Sequence, residues 1–286
     1  MRTWIKFAAA CVLMAAPASG LFAQSKLAVS SMNLHQYEDG PVLAASYEFL
    51  PGETAWFGCR MSGFKIETKD EDRFVKLSWD VTVTDAVGVL IEKPRSGRIE
   101  DQLQPEDKNW QPKFLASFQV PPFAIGGVYK IQVTVEDELA GTQAARTLEF
   151  AVRAPAFRPA DTLVVRNFRF LAKEDEDGVP LRPAVYRQGG MLWARFDIAG
   201  HKLGENNRFD VSYGLAVLGP DGKQLFAQPE AAGEAKESFY PQRWVPGVLS
   251  LSLDANVAKA AYTLVVTVRD KLADQTAELR EAFQVE

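Results

Sequence analysis

Hydrophobic and polar residues alternate along much of this chain. Tyr129, Ile131, Val133 and Val135 interleave with Lys130, Gln132, Thr134 and Glu136, and Leu77, Trp79, Val81 and Val83 with Lys76, Ser78, Asp80 and Thr82. A period of two puts successive side chains on opposite faces, the pattern of a half-buried strand. Phe209, Val211, Tyr213, Leu215 and Val217 repeat it, and the turn signal Gly219-Pro-Asp-Gly222 that follows predicts a hairpin. Outside the N-terminal region no long helical period occurs. Short strands separated by frequent turns predict an all-β chain built as antiparallel sandwiches.

The pattern also repeats at long range. Tyr129 to Val152 matches Tyr262 to Val285 at a constant offset of 133, with ten of 24 positions identical. Trp110 and Pro112 match Trp244 and Pro246 at an offset of 134, and Gly52, Trp56, Gly63 and Lys65 match Gly189, Trp193, Gly200 and Lys202 at 137. Loop insertions account for that drift. The period is too long for a solenoid, so the chain is read as a tandem domain duplication. The expected domains are 25–153 and 161–286, joined by a Pro-containing linker at 154–160.

In both copies a run Tyr-x-φ-x-Val-Thr-Val-x-Asp-x-Leu-Ala, starting at Tyr129 and Tyr262, leads into a final Phe-x-Val strand. This ending resembles the immunoglobulin-like domains of bacterial secreted proteins. The resemblance covers the last two strands of each copy and implies Ig-like sandwiches, with Tyr129 and Tyr262 in the place of a tyrosine corner. It also implies a binding, spacing or assembly module rather than a catalyst.

Residues 1–23 are of a different kind. Arg2 and Lys6 precede an apolar run from Phe7 to Ala16, and small residues follow. That is a cleavable secretory signal, with Ala23 or Ala18 as the residue before the cut. The run is too short to span a bilayer, which needs about 20 apolar residues. Cys11 leaves with the signal, so Cys59 remains alone and no intramolecular disulfide forms. The expected location is periplasmic or extracellular, with no membrane insertion after cleavage. Nothing follows the last strand, so no anchor or further domain is expected after Glu286.

The 286 residues, 47% hydrophobic and 24% charged, suit a folded protein rather than a disordered one. The 32 basic and 37 acidic residues give a net charge of −5, and loss of the signal removes two more positive charges. No basic footprint for nucleic acid is present.

Candidate chemistry is sparse. Ala55, Phe57, Cys59 and Met61 align with Leu192, Ala194, Phe196 and Ile198, which makes Cys59 a core residue. His35 and His201 stand at non-equivalent places and are expected at the surface, without the three or four convergent ligands of a zinc site. The acidic turns at 38–40 and 174–178 end in glycine but lack EF-hand spacing, and read as solvated turns. The loop 69–72 reads the same way. No catalytic residue, metal site or cofactor is assigned. Trp56, Trp193 and Arg195 are the binding candidates, because the alternation points the two indoles outward, beside Arg60 in one copy and beside Arg195 and Asp197 in the other. Trp110 and Trp244 are expected to plug sandwich ends.

The expected function is non-enzymatic binding or scaffolding, with an unidentified protein or glycan as partner. A carbohydrate-binding module using Trp56 and Trp193 is the main alternative. A hydrolase with an inter-domain site ranks behind both.

Overall fold

A computed structural model describes residues 26–154, 158–174 and 178–286. The expected signal at 1–23, part of the expected linker at 154–160 and part of the acidic turn at 174–178 lie outside the described residues.

Among the described residues the first half contains nine strands: β1 Ala28–His35, β2 Glu48–Phe49, β3 Thr54–Ser62, β4 Glu67–Lys69, β5 Asp72–Thr84, β6 Arg95–Leu103, β7 Lys113–Gln119, β8 Gly127–Asp137 and β9 Thr142–Val152. The second half contains eight: β10 Val164–Leu171, β11 Val185–Tyr186, β12 Met191–Ala199, β13 Phe209–Leu218, β14 Gln224–Lys236, β15 Trp244–Ser252, β16 Ala261–Asp270 and β17 Gln275–Val285. Among the described residues a 3-10 turn at Glu205–Asn207 interrupts them.

The halves share one topology. In the first, β1-β3-β7 form a small sheet facing a larger one of order β2-β9-β8-β5-β4, with β6 on the free side of β5. In the second, β10-β12-β15 face β11-β17-β16-β13-β14. The short β2 and β11 run parallel to β9 and β17, while the other pairings are antiparallel. Among the described residues every strand pairing stays within one half. The protein is two tandem antiparallel β-sandwiches, all-β as its alternation predicts and Ig-like as the resemblance of its last strands implies.

The shared residues explain why both copies fold alike. Tyr129, Ile131, Val133 and Val135 are wholly buried, as are Leu264, Val266 and Val268, each such side chain contributing about 1.5–3 kcal/mol. The Tyr129 hydroxyl donates to the Ile125 carbonyl at 2.9 Å and Tyr262 to Ala258 at 2.7 Å, each four residues upstream. These bonds at the start of β8 and β16 are tyrosine corners. Asp137 accepts from the main-chain N–H groups of Lys65, Leu139 and Ala140, and Asp270 from those of Lys202, Leu272 and Ala273. Each carboxylate therefore ties its hairpin to the end of β3 or β12. Gly63 and Gly200 leave those strands at φ 75°, where a Cβ would be strained.

Where the copies differ, volume is exchanged. Cys59 pairs across strands with Phe114, whereas Phe196 pairs with Gly247. A Cβ on Gly247 would lie 2.2 Å from the Phe196 ring, so glycine makes that room. The Phe114 ring stacks on Trp79 at 4.3 Å, and Phe196 meets Tyr213 edge-on at 5.3 Å. Burial pushes the Cys59 thiol up to about 12, leaving it protonated and inert.

Candidate functional site

Trp56 stands on β3 between His35 of β1 and Ser117 of β7, on the face away from the core. Its indole is half-buried. It borders a pocket of about 190 Å³ that Glu38, Asp39, Arg95, Leu115 and Ser117 also line. Glu38 and Asp39 belong to a tight turn closed by Gln36 N–H to the Pro41 carbonyl at 3.0 Å, which also carries the exposed Tyr37. Asp39 pairs with Lys113, whose ammonium holds its carboxyl below the usual range. Arg95 pairs with Glu92 at 2.6 Å. The pocket thus offers an aromatic surface ringed by a carboxylate, an ion pair, a guanidinium and a hydroxyl. That chemistry binds polar groups carried on an apolar frame.

Trp193 takes the equivalent place on β12, between Leu171 and Ser250, and is also half-buried. Arg195 follows on the same face between Arg169 and Val248, and Asp197 accepts from the Asn167 side-chain amide at 2.7 Å. Trp193 and Arg195 therefore share a strand face, while Trp56 belongs to the other half's sheet.

The acidic stretch at 69–72 forms the exposed β4–β5 turn, as expected of a solvated loop. The histidines are not where the sequence reading places them. Both are buried: the Nδ1–H of His35 donates to the Gly40 carbonyl at 2.7 Å, and His201 faces the Gln242 carbonyl at 3.0 Å. A local acceptor lets each ring enter the interior at little cost. Trp110 packs on Phe64 at the first core, and Trp244 reaches across to the other repeat. Its ring meets Phe123 of the first repeat edge-on at 5.9 Å.

Phe123 belongs to a junction that the sequence reading missed. Asp85, with a side chain 0% exposed, begins the turn between β5 and β6. One carboxylate oxygen accepts the N–H groups of Val87 and Val89. The other accepts the Tyr240 hydroxyl and an Arg243 N–H, both at 2.9 Å. Arg243 also donates to the Tyr240 hydroxyl at 2.6 Å, and Lys236 lies over the Phe123 ring at 5.7 Å. Tyr240 is buried in the first repeat's core and interacts with Tyr129, whose hydroxyl burial pushes upward. The second repeat makes the same turn, with Gly219 bonded to Lys223 as Asp85 is to Val89. Asp85 in place of Gly219 is the signal that was available.

Fold and junction together define a two-repeat β-sandwich protein whose repeats are joined through a buried ion pair. No protein-family model and no curated protein matches the chain. Among solved structures, it is similar to the C-terminal domain of the AgI/II polypeptide BspA of Streptococcus agalactiae, with a TM-score of 0.30 and 10% identity over 91% of this chain and 99% of the other. It is also similar to the C-terminal domain of the antigen I/II-family protein AspA of Streptococcus pyogenes, with a TM-score of 0.31 and 8% identity over 92% and 99%. At such scores the fold assignment rests on this chain's own strand order and tyrosine corners.

Proposed function

We propose that this is an exported, non-enzymatic binding or scaffolding protein that holds a protein partner in the periplasm or outside the cell. Its signal is 1–23, and its two modules are 25–153 and 161–286. The observation that carries this reading is the division of labour within the duplication. Tyr129/Tyr262, Asp137/Asp270 and Gly63/Gly200 are the same in both copies and build the sandwich. The outer faces differ, and the first presents the Trp56 pocket beside the exposed Tyr37. Trp and Tyr side by side at a surface are residue types enriched in interface hot spots.

The polar ring around Trp56 favours a second reading, in which that indole stacks on a sugar. The mature chain, immobilised against an envelope extract and a glycan array, tests both. A stoichiometric protein captured by the wild type and weakened about 30-fold by Trp56→Ala, a hot-spot loss of about 2 kcal/mol, supports the first reading. Glycan retention abolished by the same change supports the second. Capture indifferent to both Trp56→Ala and Trp193→Ala refutes the assignment of the site.

A further inference from the structure

His201 occupies in the second repeat the position that Phe64 holds in the first, each between the matched glycine and lysine. Phe64 lays an apolar ring on Trp110, 5.8 Å between centroids. The sandwich can therefore close here without a polar group. His201 is only 8% exposed, packs on Phe209 at 5.1 Å, and adds a hydrogen bond. Its Nε2 lies 3.0 Å from the Gln242 carbonyl, so Nε2 carries the proton and donates. Arg243 is the next residue and Tyr240 lies two before Gln242. Residues 237–243 are thus held at their start by Asn206 and Asn207 and at Gln242 by His201, and reach Asp85 of the first repeat on the other side.

On balance the surroundings of the ring favour its neutral form. Nδ1 has no hydrogen-bond partner among the described residues, and neither does the side-chain amide of Gln242, which is 2% exposed. An imidazolium would bring a second N–H and a full charge into this site. The charged groups that face the ring are Asp270 at the end of β16 and Glu234 of β14, and both favour protonation. Phe209 of β13 and Gln242 bring no charge to it, and the guanidinium of Arg243, the next residue, is engaged by Asp85. Burial outweighs the two carboxylates and holds the imidazole below its ordinary 6.5.

We infer that His201 is the pH-sensitive hold of a latch between the two repeats. Neutral, it pins residues 237–243 so that Tyr240 and Arg243 engage Asp85. Protonated, it leaves its site, frees that segment, and lets the contact between the repeats open. The docked form binds the proton less well than the open form. Docking is therefore fully favoured above about pH 6.5 and weakens as pH falls below that value. Each pH unit separating the open and docked midpoints shifts the ratio of the two forms about tenfold.

Small-angle scattering of the mature chain from about pH 7.5 to about pH 5 reads the opening as a rise in maximum dimension. The wild type should extend as pH falls. His201→Phe, the side chain its sister repeat uses, should stay docked throughout, and Arg243→Met, which weakens docking but keeps the Tyr240 hydroxyl on Asp85, should open at a higher pH than the wild type. A wild type of constant dimension overturns the proposal. So does a His201→Phe protein that opens at the wild-type midpoint, which would assign the change to a carboxylate. Imidazole resonances of the wild type give a check independent of the variant's folding. The His201 ring must titrate at the midpoint of opening, and a ring that titrates without opening overturns the proposal as well.

Discussion

Replacing Arg243 with methionine isolates the ion pair that joins the repeats. The Asp85 side chain is wholly buried and that of Arg243 is 14% exposed, so water cannot take over the lost contact without the junction opening. After the change Asp85 keeps three of its four donors: Val87, Val89 and the Tyr240 hydroxyl. Breaking a buried pair with no compensation costs about 3–5 kcal/mol. A single hydrogen bond to a charged group contributes about 1.5–3 kcal/mol. Three surviving donors put Arg243→Met near the smaller figure, about 2–3 kcal/mol. The guanidinium also sits 5.0 Å from the Tyr240 ring, which adds about 0.5–1 kcal/mol. Asp85→Asn removes the charge from the other side, and the double variant completes a cycle whose expected coupling is about 1.5–3 kcal/mol. Urea unfolding of the mature chain is the assay, followed by tryptophan fluorescence and far-UV circular dichroism. Trp244 lies on Phe123 at the junction, so fluorescence should report the loss first. A coupling below about 0.5 kcal/mol would mean that the two side chains act independently. It would refute the claim that this pair holds the repeats together.

Three further outcomes follow from the packing. Asp137→Asn and Asp270→Asn each turn an amide N–H toward main-chain donors, and should cost similar amounts, about 2–3 kcal/mol by thermal unfolding, because the two sites are copies. The Cys59 thiol, pushed up to about 12, should react with a disulfide reagent at about pH 8 only after denaturant is added. Rapid reaction of the native protein would contradict its burial. Cys59→Phe alone overpacks against Phe114 and should cost about 1–3 kcal/mol, and adding Phe114→Gly should restore part of that by reproducing the pairing of Phe196 with Gly247.

The fold was legible because a sandwich is specified by period and by turns, both local in sequence. The alternation through Tyr129 and Val135 gave the buried face of β8, and the turn at Gly219 gave the β13–β14 hairpin. Cys59 was legible as core for the same reason, standing in register with Phe196. Contacts between the repeats were not, since neither period nor spacing pairs Asp85 with residues 155 and 158 positions away. Reading the two copies against each other recovers part of what a single pattern hides. Positions that are identical, such as Asp137 and Asp270, build the sandwich. Positions that trade volume, such as Cys59 and Phe114 against Phe196 and Gly247, keep its core filled. The informative ones change chemistry at a site whose geometry is unchanged. Gly219 in one turn stands against Asp85 in the other, and the apolar Phe64 against His201. A histidine aligned with a core-facing phenylalanine is a buried histidine, and a buried histidine needs an acceptor. In this chain that acceptor lies on the segment that supplies Tyr240 and Arg243 to the junction. These two chemical departures between the copies thus fall at the two ends of one connection, as expected if the second repeat diverged to dock on the first.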